Sequence, residues 1–188
     1  MGSSPGKAQG ETDFTRPLVT GIMTSRAGDL RIVPVDGSNV DQFLGLIAGL
    51  AEYEKLPPPD QGARARLARD ATSDPPPFQA RIALLDGVPS GFLSYYYGYS
   101  TFLGRPTLYL EDIFVREEHR HKGVGKEMFK YCVREAQAKG CGRIDWTALQ
   151  WNLPAHRFYE GLGGKRMEWC LFRLAEEDFG RALSDEEC

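Results

Sequence analysis

The feature that most constrains this chain lies between Pro77 and Arg116, where three runs rich in β-branched and aromatic residues follow one another with only turn-length breaks. "FQARIALLDG" and "SGFLSYYYGY" flank the Asp86-Gly87 dipeptide, and "TLYLEDIFV" follows the loop Gly104-Arg105-Pro106. Asp-Gly is the dipeptide of tight hairpin turns, so the first two runs are expected to pair antiparallel and the third to complete a meander. Such a sheet must bury its faces against something, and the periodicity on either side supplies the cover.

Upstream, "LRIVPV" reads as a strand, and Val40, Phe43, Leu44, Ile47 and Leu50 recur at helical spacing behind a Ser38-Asn39 cap. Pro57-Pro58-Pro59 must stop that helix. "ARARLARDA" reads as a short helix with its arginines on a solvated face, ended by Pro75-Pro76-Pro77. Downstream, Val124, Met128, Cys132 and Ala136, with Phe129 and Val133 beside them, mark an amphipathic helix that closes at Gly140. "GRIDWTAL" is the next expected strand, Asn152-Leu153-Pro154 the capped start of another helix through "AHRFYEGLGG", and "KRMEWCLFRL" a final strand. This order mixes hairpins with crossover units. It predicts an α/β (α+β) domain: one mixed, mostly antiparallel sheet with helices on both faces. Residues 1–28 are polar, punctuated by Gly, Ser and Pro, and aperiodic, so they read as a disordered extension, with 29–188 as the domain.

Composition excludes several functions. A net charge of -3 offers no basic face for general nucleic-acid binding and suits cationic partners better. The four cysteines, Cys132, Cys141, Cys170 and Cys188, have neither CxxC spacing nor paired histidines, so no metal site and no disulfide framework is expected. No run approaches the roughly 18 apolar residues that a membrane-spanning helix needs, and the start lacks a secretory profile; a cytoplasmic protein without membrane partners is the expectation.

The chemistry concentrates where "VREEHRHKGVGKEMF" joins the third strand to the next helix. Gly123 and Gly125 allow close backbone approach, and the amides of Val124, Gly125 and Lys126 would be unpaired donors at the positive end of a helix dipole. With Arg120, Lys122 and Lys126 around them, they form a seam suited to a pyrophosphate. It is not a Walker loop, which would put glycine at Arg120 and Ser or Thr at Glu127. Nor is it a Rossmann fingerprint, which would put a small residue at Met128.

Together with "YLEDIFV" before it and "WNLPAHRFYEGLGG" after it, the seam resembles the acetyl-CoA signature of the GNAT N-acetyltransferases over roughly Leu30 to Leu174. Arg120, Gly123 and Gly125 meet the family's Arg/Gln-x-x-Gly-x-Gly/Ala pattern, and Asn152, Ala155, Phe158 and Tyr159 meet Asn-x-x-Ala-x-x-Phe-Tyr. "LAEYEKL", "YLEDIFV" and "FYEGLGG" are most similar to the spermidine/spermine and thialysine acetyltransferase branch.

The resemblance implies acetyl-CoA as cosubstrate, with its pyrophosphate on the amides of Val124 to Lys126 and Arg120, His121 and Lys122 nearby. It implies a pantetheine arm along Ile113, Phe114 and Val115, between "YLEDIFV" and a "RIDWTAL" strand splayed away from it. Asn152, Ala155, Phe158 and Tyr159 would then stand near the thioester. It further implies a homodimer. A departing thiolate needs a proton, and a tyrosine hydroxyl of ordinary pKa near 10 keeps one at neutral pH. Tyr159 is the expected acid, with Phe158 in the core.

An alkylamine is neutral in only about one molecule in two thousand at pH 7, so a base must take its proton before attack. By resemblance Glu111 does so through water. Glu111 and its neighbour Asp112 should point to opposite faces of a regular strand. Glu52, Glu54, Asp112 and Gln150 complete the expected amine-binding set. Ser100 and Phe102 stand where polyamine acetyltransferases carry aspartate and tryptophan, and Gln150 lies near a further acidic position. The expected substrate is therefore a small primary amine such as thialysine, lysine, ornithine or a short diamine rather than a long polyamine. Acetylation of protein lysines or N-termini, and acyl-CoA binding without chemistry, are the alternatives.

Overall fold

The computed structural model describes residues 28–184 together with the strand backbone Met23–Thr24; the expected disordered extension falls almost wholly outside the described residues. The chain divides into two compact units, Met1–Thr147 and Ala148–Cys188. Among its described residues the first holds six strands: β1 (Met23–Thr24), β2 (Asp29–Pro34), β3 (Gln79–Leu85), β4 (Val88–Ser100), β5 (Arg105–Val115) and β6 (Arg143–Trp146). They lie in sequence order across one sheet, antiparallel throughout except for the parallel β5–β6 pair. The β3–β4 hairpin turns on Asp86 and Gly87 at φ 53° and 80°, the double left-handed geometry that the Asp-Gly pair allows.

Two helices, α1 (Val40–Glu54) and α2 (Gln61–Ala71), cover one face. Phe43 and Leu46 of α1 and Ala71 of α2 bury against Ala80, Ile82, Phe92 and Phe114, with Phe43 edge-on to Phe92 at 5.4 Å. The opposite face receives α3 (Val124–Ala138), whose Met128, Cys132 and Ala136 are buried over a sheet face that includes Leu93, Tyr95, Leu108 and Leu110. Beneath α3, buried Arg81 donates from Nε to the Tyr131 hydroxyl at 2.9 Å and from Nη1 to the Ala80 carbonyl at 2.8 Å, while Tyr95 donates to Glu135 at 2.8 Å. A charge in the core is tolerable because its donors are spent on protein acceptors, and those bonds hold α3 to the sheet.

Local chemistry sets the helix ends. Asp60 accepts the Ala63 amide at 2.7 Å and caps α2. Asn39 occupies the N-cap position of α1 but does not cap it as expected: its side chain accepts the Asp36 amide and donates to the Pro34 carbonyl, both at 2.9 Å. It closes the turn behind the helix instead. α2 ends at Ala71, before the proline run, where the Thr72 hydroxyl donates to the Ala68 carbonyl at 2.8 Å.

The second unit contains α4 (Leu153–Gly161) and a short α5 (Phe179–Ala182). The final strand expected over "KRMEWCLFRL" is not formed. The sheet ends at β6, and residues 165–174 carry Met167, Trp169, Leu171 and Phe172 exposed. Alternation makes a segment competent to be a strand, but only a partner's ladder makes it one. No described helix is long and apolar enough to cross a membrane.

Candidate active site

The anion seam is built by the turn between β5 and α3. After a 3-10 turn over Glu117–His119, Arg120 donates from Nε to the Val115 carbonyl at 3.0 Å and sets its guanidinium 4.6 Å from the centre of the Tyr53 ring. Arg120 is thus first a brace between the loop, the end of β5 and α1. His121 and Gly123 then take positive φ, 61° and 85°, and nothing approaches within 4 Å of where a Cβ on Gly123 would stand. Among the described residues no side chain caps α3, whose first helical bond runs from the Glu127 amide to the Gly123 carbonyl. The amides of Val124, Gly125 and Lys126 are the donors that helix geometry leaves without an acceptor. Val124 is only 1% exposed, so its side chain is spent on the core beneath α3. Lys122 and Lys126 are exposed beside the seam. A diphosphate fits this arrangement of donors and cations.

From the seam back along β5, one backbone edge is open. β6 pairs with β5 only from Thr107↔Arg143 to Leu110↔Trp146, while β4 follows β5 on to Val115. Beyond Leu110 the side of β5 that faced β6 has no strand beside it among the described residues, which is the splay expected for an extended ligand that bonds to backbone. Ile113 is half-buried there. Phe114 is a core residue, 6.2 Å ring to ring from Phe92, and it has only backbone to offer a ligand.

At the inner end of this open edge the ladder slips. Ser94 pairs with Asp112 and Tyr95 with Leu110, so Glu111 is the extra residue of a β-bulge. The alternation that would separate Glu111 from Asp112 is broken here, and the expectation of opposite faces is corrected. Burial pushes the Asp112 carboxyl up to about 6, against a 2.8 Å hydrogen bond from the Ser94 hydroxyl that favours the anion, with the charges of Glu111 and Glu54 raising it further. Glu54, in the last turn of α1, is itself raised by burial. Glu111 is exposed at the bulge, and Glu52 is exposed on α1. Three carboxylates from two elements therefore share one field. The bulge, the Ser94 bond and the raised Asp112 were not foreseen, because all three depend on how β4 meets β5.

The second unit carries the remaining expected residues. The Asn152 side chain accepts the Ala155 amide at 3.3 Å and caps α4, with Pro154 in the first turn, as the sequence indicates. Phe158 and Tyr159 are both half-buried and meet edge to face at 5.2 Å; neither is a fully buried core residue. His156 hydrogen-bonds through Nε2 to the Leu149 carbonyl at 2.9 Å, tying the helix to the turn that holds exposed Gln150. In the first unit, the Ser100 hydroxyl accepts the Leu103 amide at 3.3 Å, and Phe102 is 100% exposed. Among the described residues, no group of three or more His, Cys, Asp or Glu is arranged to hold a metal ion.

Comparison with known proteins gives these features a context. The profile of the Acetyltransferase (GNAT) family matches residues 47–163. The chain is similar to the thialysine N-epsilon-acetyltransferase of Bos taurus, 34% identical over 147 residues, which span 72% of this chain and 86% of that protein. It is also similar to the L-ornithine N5-acetyltransferase of Arabidopsis thaliana, 40% identical over 92 residues, which span 48% of this chain and 40% of that protein. An aminoglycoside N-acetyltransferase solved in complex with CoA shares the fold at a TM-score of 0.66 and 23% identity, with 82% of this chain and 99% of that chain covered.

Proposed function

As the chain belongs to the Acetyltransferase (GNAT) family and is an acetyltransferase acting on a small-molecule amine, we propose that it takes acetyl from acetyl-CoA and places it on the primary amine of a thialysine-, lysine- or ornithine-like amino acid or a short diamine. The observation that carries this reading is the continuity of the β5 strand. Its open edge runs from the acidic bulge at Glu111 to Val115, from which the turn leads on to the uncapped amides of Val124 to Lys126. That edge supports placing the pantetheine amides along Ile113 to Val115 and the pyrophosphate at the α3 N-terminus, with Lys122 and Lys126 as counter-charges.

The reaction is direct attack. An ammonium drawn to Glu54, Glu111 and Asp112 must first lose a proton. Glu111 receives it through water. The neutral nitrogen forms the new N–C bond to the acetyl carbon and the C–S bond breaks; the thiolate takes its proton from Tyr159, and the proton the acylated nitrogen then sheds passes through water to restore the Tyr159 hydroxyl. The names of the Bos taurus and Arabidopsis relatives support small amino-acid acceptors. So does the lack of a carboxylate at Ser100, Phe102 and Gln150, where a long polycation would need one.

The test is release of free thiol from acetyl-CoA over a panel of amines, with mass spectrometry of the acetylated product. Turnover on thialysine, lysine, ornithine or a short diamine above spermidine and spermine is expected. Spermine as the best substrate by about tenfold or more would overturn the substrate assignment.

A further inference from the structure

One pair of side chains on the acidic face has no task in the chemistry above. Tyr96 and Tyr109 are register partners on β4 and β5, and their rings stack at 5.1 Å with 29° between planes. Tyr96 is 39% exposed, and the Glu111 charge acts on its hydroxyl. Ser94 and Tyr96 lie two residues apart and so on the same side of β4. The stacked pair therefore stands about 7 Å along the strand from the Ser94–Asp112 hydrogen bond. Between Tyr95 and Leu110 the sequence contains no carboxylate, while Tyr99 and Phe102 at the far end of the hairpin are exposed.

We propose that the Tyr96–Tyr109 pair determines acceptor specificity by holding the distal ammonium of the substrate on an aromatic face while the reacting nitrogen sits at Glu111 and Asp112. This inference rests on the amine-acetyltransferase reading and names how that site selects among amines. The lengths agree: an extended chain of four to five methylenes separates its two end nitrogens by about 6–7 Å at ordinary bond lengths, about the rise along β4 from the Ser94–Asp112 pair to the tyrosines. The chemistry agrees too, because an aromatic face attracts a cation through its quadrupole and asks for no N–H donor. A carboxylate at the distal position would favour an ammonium that can donate hydrogen bonds, and would go on favouring each further nitrogen of a polyamine. An aromatic platform beside a region without carboxylates accepts one cation, methylated or not, and gains little from a second.

The experiment compares three acceptors of equal length with acetyl-CoA: 1,5-diaminopentane, (5-aminopentyl)trimethylammonium and n-pentylamine. For the parent enzyme, kcat/KM for the two cationic-tailed amines is expected within about threefold of each other and about fivefold or more above pentylamine, the difference lying in KM. Tyr96→Leu is expected to collapse that ratio towards one, and Tyr96→Phe, which keeps the ring, to preserve it; thermal melting of both variants checks that they fold. The inference is overturned if the trimethylammonium acceptor falls to the level of pentylamine while the diamine stays high, since a hydrogen-bonding group then holds the distal nitrogen. It is equally overturned if Tyr96→Leu leaves the ratio intact. Failure of the parent to acetylate any of the three overturns the inference, and failure on thialysine, lysine and ornithine as well, with acetyl-CoA still bound by calorimetry, would reject the underlying substrate reading too.

Discussion

Replacing Asp112 by asparagine should stabilise the protein, and only above a defined pH. The carboxyl titrates at about 6 in the fold against 3.8 for the unperturbed group, because burial and the nearby Glu111 and Glu54 charges oppose ionisation more than the Ser94 hydroxyl favours it. The folded state therefore binds this proton more tightly than the unfolded chain does. Between the two values the folded state holds more protons, so stability falls as pH rises through that window, and the full penalty is present above about 6. A shift of this size corresponds to about 3 kcal/mol. Asparagine is isosteric, carries no charge and can still accept from Ser94, but it accepts more weakly than a carboxylate and its amide needs a partner, which together return about 1–2 kcal/mol. The expected net gain is about 1–2 kcal/mol above pH 6.5, or roughly 2–8 °C in melting temperature for a chain of this size. Thermal denaturation of parent and Asp112→Asn from pH 3.5 to 8 reads it directly: the curves should cross, the variant being less stable by about 1–2 kcal/mol at the acid end, where Asp112 is protonated in both states and only the cost of the amide remains, and more stable above pH 6.5. A gain independent of pH, or destabilisation at every pH, would refute the argument that Asp112 is held against its preference for water.

Three further outcomes follow from the site. Gly125→Asp puts a carboxylate in the first turn of α3, where the helix dipole welcomes it, yet among the amides proposed for the pyrophosphate; calorimetry should show acetyl-CoA binding lost in a folded variant. Tyr159→Phe keeps the ring on α4 and removes only the proposed proton donor, so kcat should fall by about 100-fold or more with cofactor affinity little changed, as separated by single-turnover and equilibrium-binding measurements. Glu111→Gln should depress the rate most near pH 7, where the amine is almost wholly protonated, and the deficit should narrow as pH approaches the amine's pKa; a deficit constant across the pH–rate profile would remove Glu111 from proton transfer.

The parts legible in the sequence are those whose determinants sit close together along the chain. Asp86-Gly87 encodes its hairpin because both residues tolerate the left-handed backbone they adopt. The Gly123–Lys126 seam is legible for the same reason: glycine at positive φ, free amides and flanking lysines are consecutive residues. Asn152 and Pro154 mark the start of α4 within three positions. Where a position offers two local bonding patterns, the reading stops short. Asn39 could cap α1 or bond back to the turn, and the structure takes the second.

What the sequence hides is set by partners brought in from elsewhere. "YLEDIFV" alternates equally well with or without a bulge. Only the register against β4, two residues of β5 facing one step of its partner, puts Glu111 out of phase and brings it onto the same field as Asp112. Arg81 reads as an interruption in an apolar strand until Tyr131, fifty residues on, arrives with an acceptor. "KRMEWCLFRL" errs in the other direction, with the side-chain pattern of a strand and no strand formed. The same logic explains why the acidic face matters more than its residues one at a time. Glu54 comes from a helix end, Glu111 from a bulge and Asp112 from the regular strand beyond it. The raised affinity of Asp112 for a proton comes first from its burial, and the Glu111 and Glu54 charges that folding brings beside it add to it. A cationic amine entering there relieves the repulsion that folding created. The repulsive part of the penalty that Asp112→Asn removes is also what attracts the substrate, so an amine that binds there should raise the melting temperature of the parent more than that of the variant.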